Sequence, residues 1–426
     1  MLLLVGTMIF KLLFGFPFMV VLLGSLIIYV TFQMPGFDFS NVIIQQVVTG
    51  IIPPSLVAVP MFILAANIIT SGQAAKRLIR MVKAFLGHIP GGLAITTNAA
   101  CTLFGAVSGS TQATVAAIGG TMRPMLLEAG YSSPFSLALI INSSDIAFLI
   151  PPSIGFIVYG VVTGTSVGKL FLAGVGPGLL IFLLFSIYSY IYAKKNKIAG
   201  TEKADWKERK EAVRGGILVM GFPVIIIGGI YGGLFSPTEA AAMSVAYALI
   251  LEGFIFRTLK VKSMIDHFLQ TGVVTGVVFI LVGAGNAFSW LLSFLRIPQT
   301  YLPPLFGEDP SRLYVIFIVV VAYFIACMFV DPIVAIYVLS PIFAPYVLQT
   351  GVDPILLGVL VVLQAAIGSA TPPFGCDIFT AQLIFRRPYF EIIRGTPPFI
   401  FILLLVTVLL VIFPQIALFL PNAAMI

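Results

Sequence analysis

Long apolar runs separated by short polar or basic connectors dominate the chain, at 1–32, 50–71, 91–127, 134–163, 170–193, 216–235, 238–256, 271–295, 314–348, 354–383 and 397–420. A helix needs about 20 apolar residues to cross the hydrocarbon core, so the pattern predicts an all-α polytopic membrane protein. Four runs depart from a simple crossing. Residues 91–127 are interrupted by Ser108-Gly109-Ser110-Thr111 and 314–348 by Asp331-Pro332, which leaves arms too short to span. Each is expected to be a re-entrant hairpin with its tip near mid-membrane. Residues 134–163 and 354–383 can span, but carry Ile150-Pro151-Pro152-Ser153 and Thr371-Pro372-Pro373-Phe374 in their middles. Proline removes an amide donor and clashes with the preceding turn, so these are expected to be broken helices whose freed backbone meets protein or a watery cavity. The run 1–32 lacks a small-residue cleavage site and reads as one retained helix.

The two halves repeat at an offset of 221 residues: Pro124, Leu127, Gly130, Ile146, Pro151, Pro152, Gly174 and Pro177 recur as Pro345, Leu348, Gly351, Ile367, Pro372, Pro373, Gly395 and Pro398. Each copy reads helix, helix, hairpin, broken helix, helix. The run 216–235 lies between them, and one extra crossing makes the second copy enter from the opposite face. The chain thus divides into a first inverted repeat (1–215, with the N-terminal helix and a basic loop), a linking helix (216–237) and a second inverted repeat (238–426), all in one membrane domain.

Composition agrees. Hydrophobic residues make up 59% and charged residues 9%, with a mean hydropathy of +1.11, whereas soluble chains carry about 25% charged residues. A cytosolic enzyme is excluded. The net charge of +7 is a topology signal and no mark of nucleic acid. With the N-terminus in the cytoplasm and only full crossings changing sides, 20 of the 23 basic residues fall on the cytoplasmic side, eight of them between Lys194 and Arg214. Lys169, Arg296 and Arg312 remain outside. The run Lys194 to Arg214 is expected to be a solvated loop, with Trp206 at the lipid interface. Cys101, Cys327 and Cys376 lie far apart, and with His88 and His267 they show no metal or disulfide spacing. HExxH and CxxC are absent, which argues against an embedded enzyme.

Inverted repeats with tips facing broken helices are the architecture of secondary transporters, whose sites form where half-helix ends meet. Carbonyls and hydroxyls suit a hard cation such as sodium. Ser108, Gly109, Ser110 and Thr111 opposite Ile150, Pro151 and Ser153 form one oxygen-rich cluster; Asp331 opposite Gly368, Ser369, Thr371 and Gly375 forms the other. Half-helix N-termini suit an anionic cargo. Asp145 and Asp377 sit near mid-membrane, where a charge costs about 2.5–3.5 kcal/mol on insertion scales, and they join the candidate cargo contacts. Asp331 before Pro332 also fits a helix N-cap, and Ser236-Pro237-Thr238-Glu239 a capping box. A proton carried by Asp145, Asp331 or Asp377, or an ion channel, are the alternatives at this point.

The stretches Leu103 to Gly120 (LFGAVSGSTQATVAAIGG), Ile150 to Ser153 (IPPS), Gly229 to Ala242 (GIYGGLFSPTEAAA), Met328 to Pro332 (MFVDP) and Thr371 to Gly375 (TPPFG) resemble the large membrane subunit of tripartite ATP-independent periplasmic (TRAP) transporters. The resemblance implies an elevator-type, sodium-driven importer of organic acid anions in the bacterial inner membrane. It also implies two partners, a small membrane subunit and a soluble periplasmic substrate-binding protein. No organic cofactor is expected; Na+ is the coupling ion. The family's sodium sites would fall on the two tip-and-break clusters, through Ser108, Gly109, Ser110, Thr111, Ile150 and Pro151, and through Asp331, Gly368, Ser369 and Thr371. Where many dicarboxylate-type members read Gly-Thr-Leu-Gly before IPPS, this chain has Asn142-Ser143-Ser144-Asp145-Ile146-Ala147-Phe148-Leu149. That more polar stretch points to a polyhydroxylated acid such as sialic acid, ahead of C4-dicarboxylates. Asn142, Ser143, Ser144, Asp145, Ser153, Gly375 and Asp377 are the candidate cargo contacts.

Overall fold

The computed structural model describes residues 2–35, 39–307 and 309–424, with the side chain of Val261 left aside. Among these residues the chain is helical throughout, without strands. The first run is two helices, α1 (Leu2–Leu13) and α2 (Phe18–Gln33), and not the single helix expected. Gly15 lies at φ +72° and Pro17 can donate no amide, so the helix stops there. α1 then folds back on α2, and Lys11 Nζ donates to Ser25 Oγ at 3.3 Å.

α2 opens the first repeat. It is followed by α3 (Ser40–Ile51), α4 (Ala58–Ser71), the amphipathic α5 (Ala74–Leu86) and a hairpin of α6 (Gly92–Ser108) and α7 (Thr111–Glu128). A broken helix comes next, α8 (Ser133–Ser144) and α9 (Ile154–Thr163), and then α10 (Val167–Lys195). α11 (Trp206–Gly216) meets α12 (Gly221–Tyr231) at a 45° bend. The second repeat runs through α13 (Pro237–Leu249), α14 (Val261–Phe294), the hairpin α15 (Arg312–Phe329) and α16 (Pro332–Gln349), and the broken helix α17 (Pro354–Ser369) and α18 (Cys376–Phe385). The short α19 (Tyr389–Ile393) leads to α20 (Pro397–Ile412), which bends by 58° into α21 (Gln415–Ala423).

Adding 221 to the bounds of α7 gives the bounds of α16, and the starts and ends of α6, α8 and α9 fall close to those of α15, α17 and α18. The same offset places α2 on α13 and the pair α3–α4 on the single 34-residue α14. α1 stands outside the repeat. Both double prolines, Pro151-Pro152 and Pro372-Pro373, are cis.

Half of the basic run Lys194 to Arg214 is not loop but α11, because Asp205 caps it by accepting from Glu208 N at 2.6 Å. Arg80 pairs with Glu211 at 3.6 Å and Arg209 lies over the Phe85 ring, so α11 packs on α5. Trp206 is 77% exposed. The capping box holds: Glu239 accepts from Ser236 N at 2.7 Å and Ser236 Oγ from Glu239 N at 3.3 Å. At the start of α8, Ser133 donates to Glu391 of α19 at 2.5 Å. The neighbouring Arg387 guanidinium and this hydroxyl hold the Glu391 carboxyl below its usual range.

One buried carboxylate anchors α5. Glu252, 0% exposed, accepts from Gln73 N at 3.1 Å and Ala74 N at 3.0 Å, and from the Thr258 hydroxyl. It thereby satisfies the open amides of the α5 N-terminus and meets the positive end of its dipole. Gly72 is required beside it, since a β-carbon there would fall 2.0 Å from the Glu252 carboxyl carbon. Glu252→Ala strands these buried donors and is expected to destabilise the protein by about 2–4 kcal/mol. The check is a lowered melting temperature in detergent, with Glu252→Gln in between; an unchanged melt would show that α5 is held elsewhere.

Candidate functional site

Each hairpin tip is built by capping chemistry that leaves polar groups at the turn. Gly109, at φ +61°, ends α6 in the left-handed conformation that favours glycine. Ser110 starts α7, accepting from Ala113 N at 3.4 Å. At the second tip Asp331 accepts from Ile333 N at 2.9 Å, with Pro332 in the first helical position. The breaks follow the same logic. Ser153 caps α9, accepting from Phe156 N at 3.2 Å while donating to Phe148 O at 2.5 Å.

Tips and breaks interlock. A β-carbon on Gly109 would lie 2.4 Å from Pro152 O, so the first tip rests directly on the first break. At the second, Phe374 N donates to Met328 O at 3.2 Å, and a β-carbon on Gly368 would lie 2.5 Å from Cys327 Cβ. The two units are then joined through one carboxylate: Thr111 of the first tip donates to Asp377 Oδ1 and Ser369 of the second break to Asp377 Oδ2, both at 2.8 Å. Asp377 is the second residue of α18, where the helix dipole favours an anion.

A cavity of about 480 Å³ opens beside the tips. Ser108, Ser110, Gln112 and Ala113 line it from the first hairpin, and Asp331, Pro332 and Ile333 from the second. Phe148 and Ile154 contribute from the first break. The opposite wall is α4, through Ile63, Ala66 and Asn67, and α14, through Val273, Val274, Val277, Val278 and Leu281. Two hairpin tips thus present oxygen atoms and helix N-termini to a mostly apolar wall. Such a chamber can hold a small charged solute whose polar groups face the tips. Among the described residues no cluster of three His, Cys, Asp or Glu could hold a metal.

Of the residues expected to hold sodium, Ser108, Ser110 and Asp331 line the cavity. Ser108 Oγ also lies 3.1 Å from Thr114 Oγ1. Gly109 and Thr111 belong to the first tip without lining the cavity, Ile150 and Pro151 lie in the buried first break, and Gly368, Ser369 and Thr371 in the second. The Thr371 hydroxyl is turned back onto Ile367 O at 2.6 Å.

The expected cargo contacts fare differently. Asn142, Ser143, Ser144, Asp145, Ser153, Gly375 and Asp377 are all buried, and none lines the cavity in this conformation. The reason is that α8 is enclosed by the first hairpin and by α18, α19 and α20; Asn142 donates to Ala138 O at 2.8 Å and Ser144 to Ile140 O at 2.7 Å. Gly375 is pressed against Ser369 O, 2.3 Å from where a β-carbon would stand. Asp145, 1% exposed, faces Asp377 without a well-aligned hydrogen bond to either of its oxygens. Residues that the sequence reading missed are Gln112 on the first hairpin and Asn67 on the facing wall; an asparagine within the apolar run 50–71 was the available signal.

The solved structure of the YdaH transporter of Alcanivorax borkumensis matches with a TM-score of 0.62 over 90% of each chain, at 15% identity, a likeness of fold. Among curated proteins, the ectoine TRAP transporter large permease protein TeaC of Halomonas elongata is 59% identical over 99% of this chain and 98% of its own length. The ectoine/5-hydroxyectoine large permease protein UehC of Ruegeria pomeroyi is 57% identical over 98% of each. The sialic acid large permease protein SiaM of Vibrio cholerae is 32% identical over 96% of this chain and 94% of its own. The lean toward sialic acid therefore lacks support, and the polar stretch that prompted it is buried behind the cavity wall. Residues 2–416 match the family described as "Tripartite ATP-independent periplasmic transporter, DctM component". The chain belongs to this family of TRAP large permeases, and is a multi-pass membrane transporter subunit rather than an enzyme.

Proposed function

We propose that this subunit imports a compact zwitterionic solute of the ectoine kind, by sodium symport, together with a small membrane subunit and a periplasmic binding protein that delivers the cargo. The observation that carries the reading is the chamber shared by Ser108, Ser110 and Asp331 from two oppositely derived tips, facing an apolar wall. A zwitterion fits it: the carboxylate meets helix N-terminal amides, and the cationic end meets oxygen atoms. Identities of 59% and 57% to two permeases named for ectoine support the same cargo class.

In this reading sodium at the tip-and-break clusters neutralises Asp331 and stiffens the tips, so that an occupied transport body crosses and a partly loaded one does not. The hairpins and broken helices move together as an elevator against α4 and α14. The basic side, including Lys194 to Arg214, faces the cytoplasm of the inner membrane, by the charge distribution. The test is uptake into proteoliposomes holding both membrane subunits, with the binding protein outside. Labelled ectoine is expected to accumulate only under an inward sodium gradient, with sialic acid and succinate at background. Accumulation driven by a pH gradient without sodium would assign the coupling to protons, and conductance without the binding protein would make it a channel; either overturns the reading.

A further inference from the structure

The scaffold wall carries a pair of asparagines in symmetry-equivalent places. α14 lies antiparallel to α3 and α4 along its length: Ser71 Oγ is 2.8 Å from His267 Nε2, and Asn67 Nδ2 donates to Thr271 Oγ1 at 2.9 Å. Farther along, Asn286 Nδ2 donates to Gln46 O at 2.7 Å, and a β-carbon on Gly50 would fall 2.7 Å from Asn286 Cβ. The repeat relates the two ends. Val48-Thr49-Gly50-Ile51-Ile52 recurs as Gln270-Thr271-Gly272-Val273-Val274, and Asn67 has its counterpart in Asn286, 219 residues on. The contact of Asn67 with Thr271 is therefore the two-fold mate of the contact of Asn286 with the Thr49-Gly50 region.

Each asparagine also lines a cavity. Asn67 faces the 480 Å³ chamber opposite Asp331, while Asn286 lines a smaller one of about 150 Å³ opposite Tyr337 and Pro341, farther along α16. The phenol hydroxyl of Tyr337 is buried there without a partner. We propose that Asn67 and Asn286 are alternating scaffold contacts for the cargo: Asn67 with the tips where they stand here, Asn286 when the tips have moved to the other end of α14. A carboxamide both donates and accepts, which suits a zwitterion presenting either end. Thr271 and Asn286 are 15 residues apart on α14, so the two stations are about 22 Å apart at 1.5 Å per residue.

This rests on the transport reading above, and the experiment separates the two. Asn67→Cys and Asn286→Cys complexes are treated with a small membrane-permeant thiol reagent at rest and during turnover. Wild-type labelling supplies the background: Cys101 and Cys327 are buried, and the half-buried Cys376 is the native thiol to be subtracted. At rest Asn67→Cys is expected to react at least tenfold faster than Asn286→Cys; during sodium-driven uptake the first slows and the second quickens. In transport, Asn286→Ser is expected to raise the half-saturating concentration of loaded binding protein at least fivefold, and Asn67→Ser to lower turnover by as much with half-saturation unchanged. Glutamine at either position restores part of the loss. Normal wild-type uptake with labelling that changes in the same direction at both positions, or not at all, overturns the inference. Absence of wild-type uptake overturns the proposed function instead.

Discussion

Asp331→Asn is expected to cut sodium-dependent uptake at least about a hundredfold while leaving stability within about 0.5 kcal/mol of the parent. Asp331 has two roles. Its Oδ1 accepts from Ile333 N at 2.9 Å, which starts α16, and its carboxylate faces the chamber between the tips. Asparagine caps a helix about as well as aspartate, so the substitution removes the negative charge and keeps the turn. Asp331→Ala removes both and is expected to add a stability loss of about 1 kcal/mol. Uptake and thermal melting of the purified complex, measured on the same preparations, separate the roles. If Asp331→Asn transports with unchanged sodium dependence, the carboxylate is a cap and no ion ligand.

Gly109→Ala is the second large effect. Its φ of +61° is a conformation that costs an alanine about 1–2 kcal/mol, and the new β-carbon would meet Pro152 O at 2.4 Å. A backbone carbonyl held in a proline-locked break cannot swing aside like a long side chain, so the first tip must lift off the first break. Uptake is expected to fall below about 1% of the parent, since more than 2.7 kcal/mol is a factor of a hundred. Gly120→Ala is the matched control, because that position on α7 has nothing within 4 Å of an added β-carbon; it should transport normally. Equal activity of both variants would show that the tip tolerates displacement and is no part of the transport site.

Much of the architecture was legible before any coordinates because the informative features are interruptions of long apolar runs. Ser108 to Thr111 and Asp331-Pro332 stop helices through capping and missing amides, which act within a few residues. The double prolines do the same. The break at Gly15 and Pro17 is equally local, but it is a single glycine and a single proline in a run so apolar that its length predicts one continuous helix. That none of the expected cargo contacts lines the chamber has a different cause. A polar stretch in a membrane helix states that its side chains need partners, not where those partners are. Asn142 and Ser144 find theirs in the carbonyls of their own helix, and Asp377 in Thr111, 266 positions away.

By itself, then, the sequence determined the membrane setting, the 221-residue repeat, the two tips, the two breaks and the family, since each follows from hydropathy, local backbone chemistry or a motif contiguous in the chain. Tertiary structure alone decided which oxygens line a cavity and which are buried. It also placed α4 and α14 as the opposing wall, showed α5 pinned by Glu252 across 178 positions, and set Asn67 and Asn286 in equivalent places. These are long-range pairings between repeats, fixed by how closely helices approach at their glycines, and no stretch of neighbouring residues encodes them.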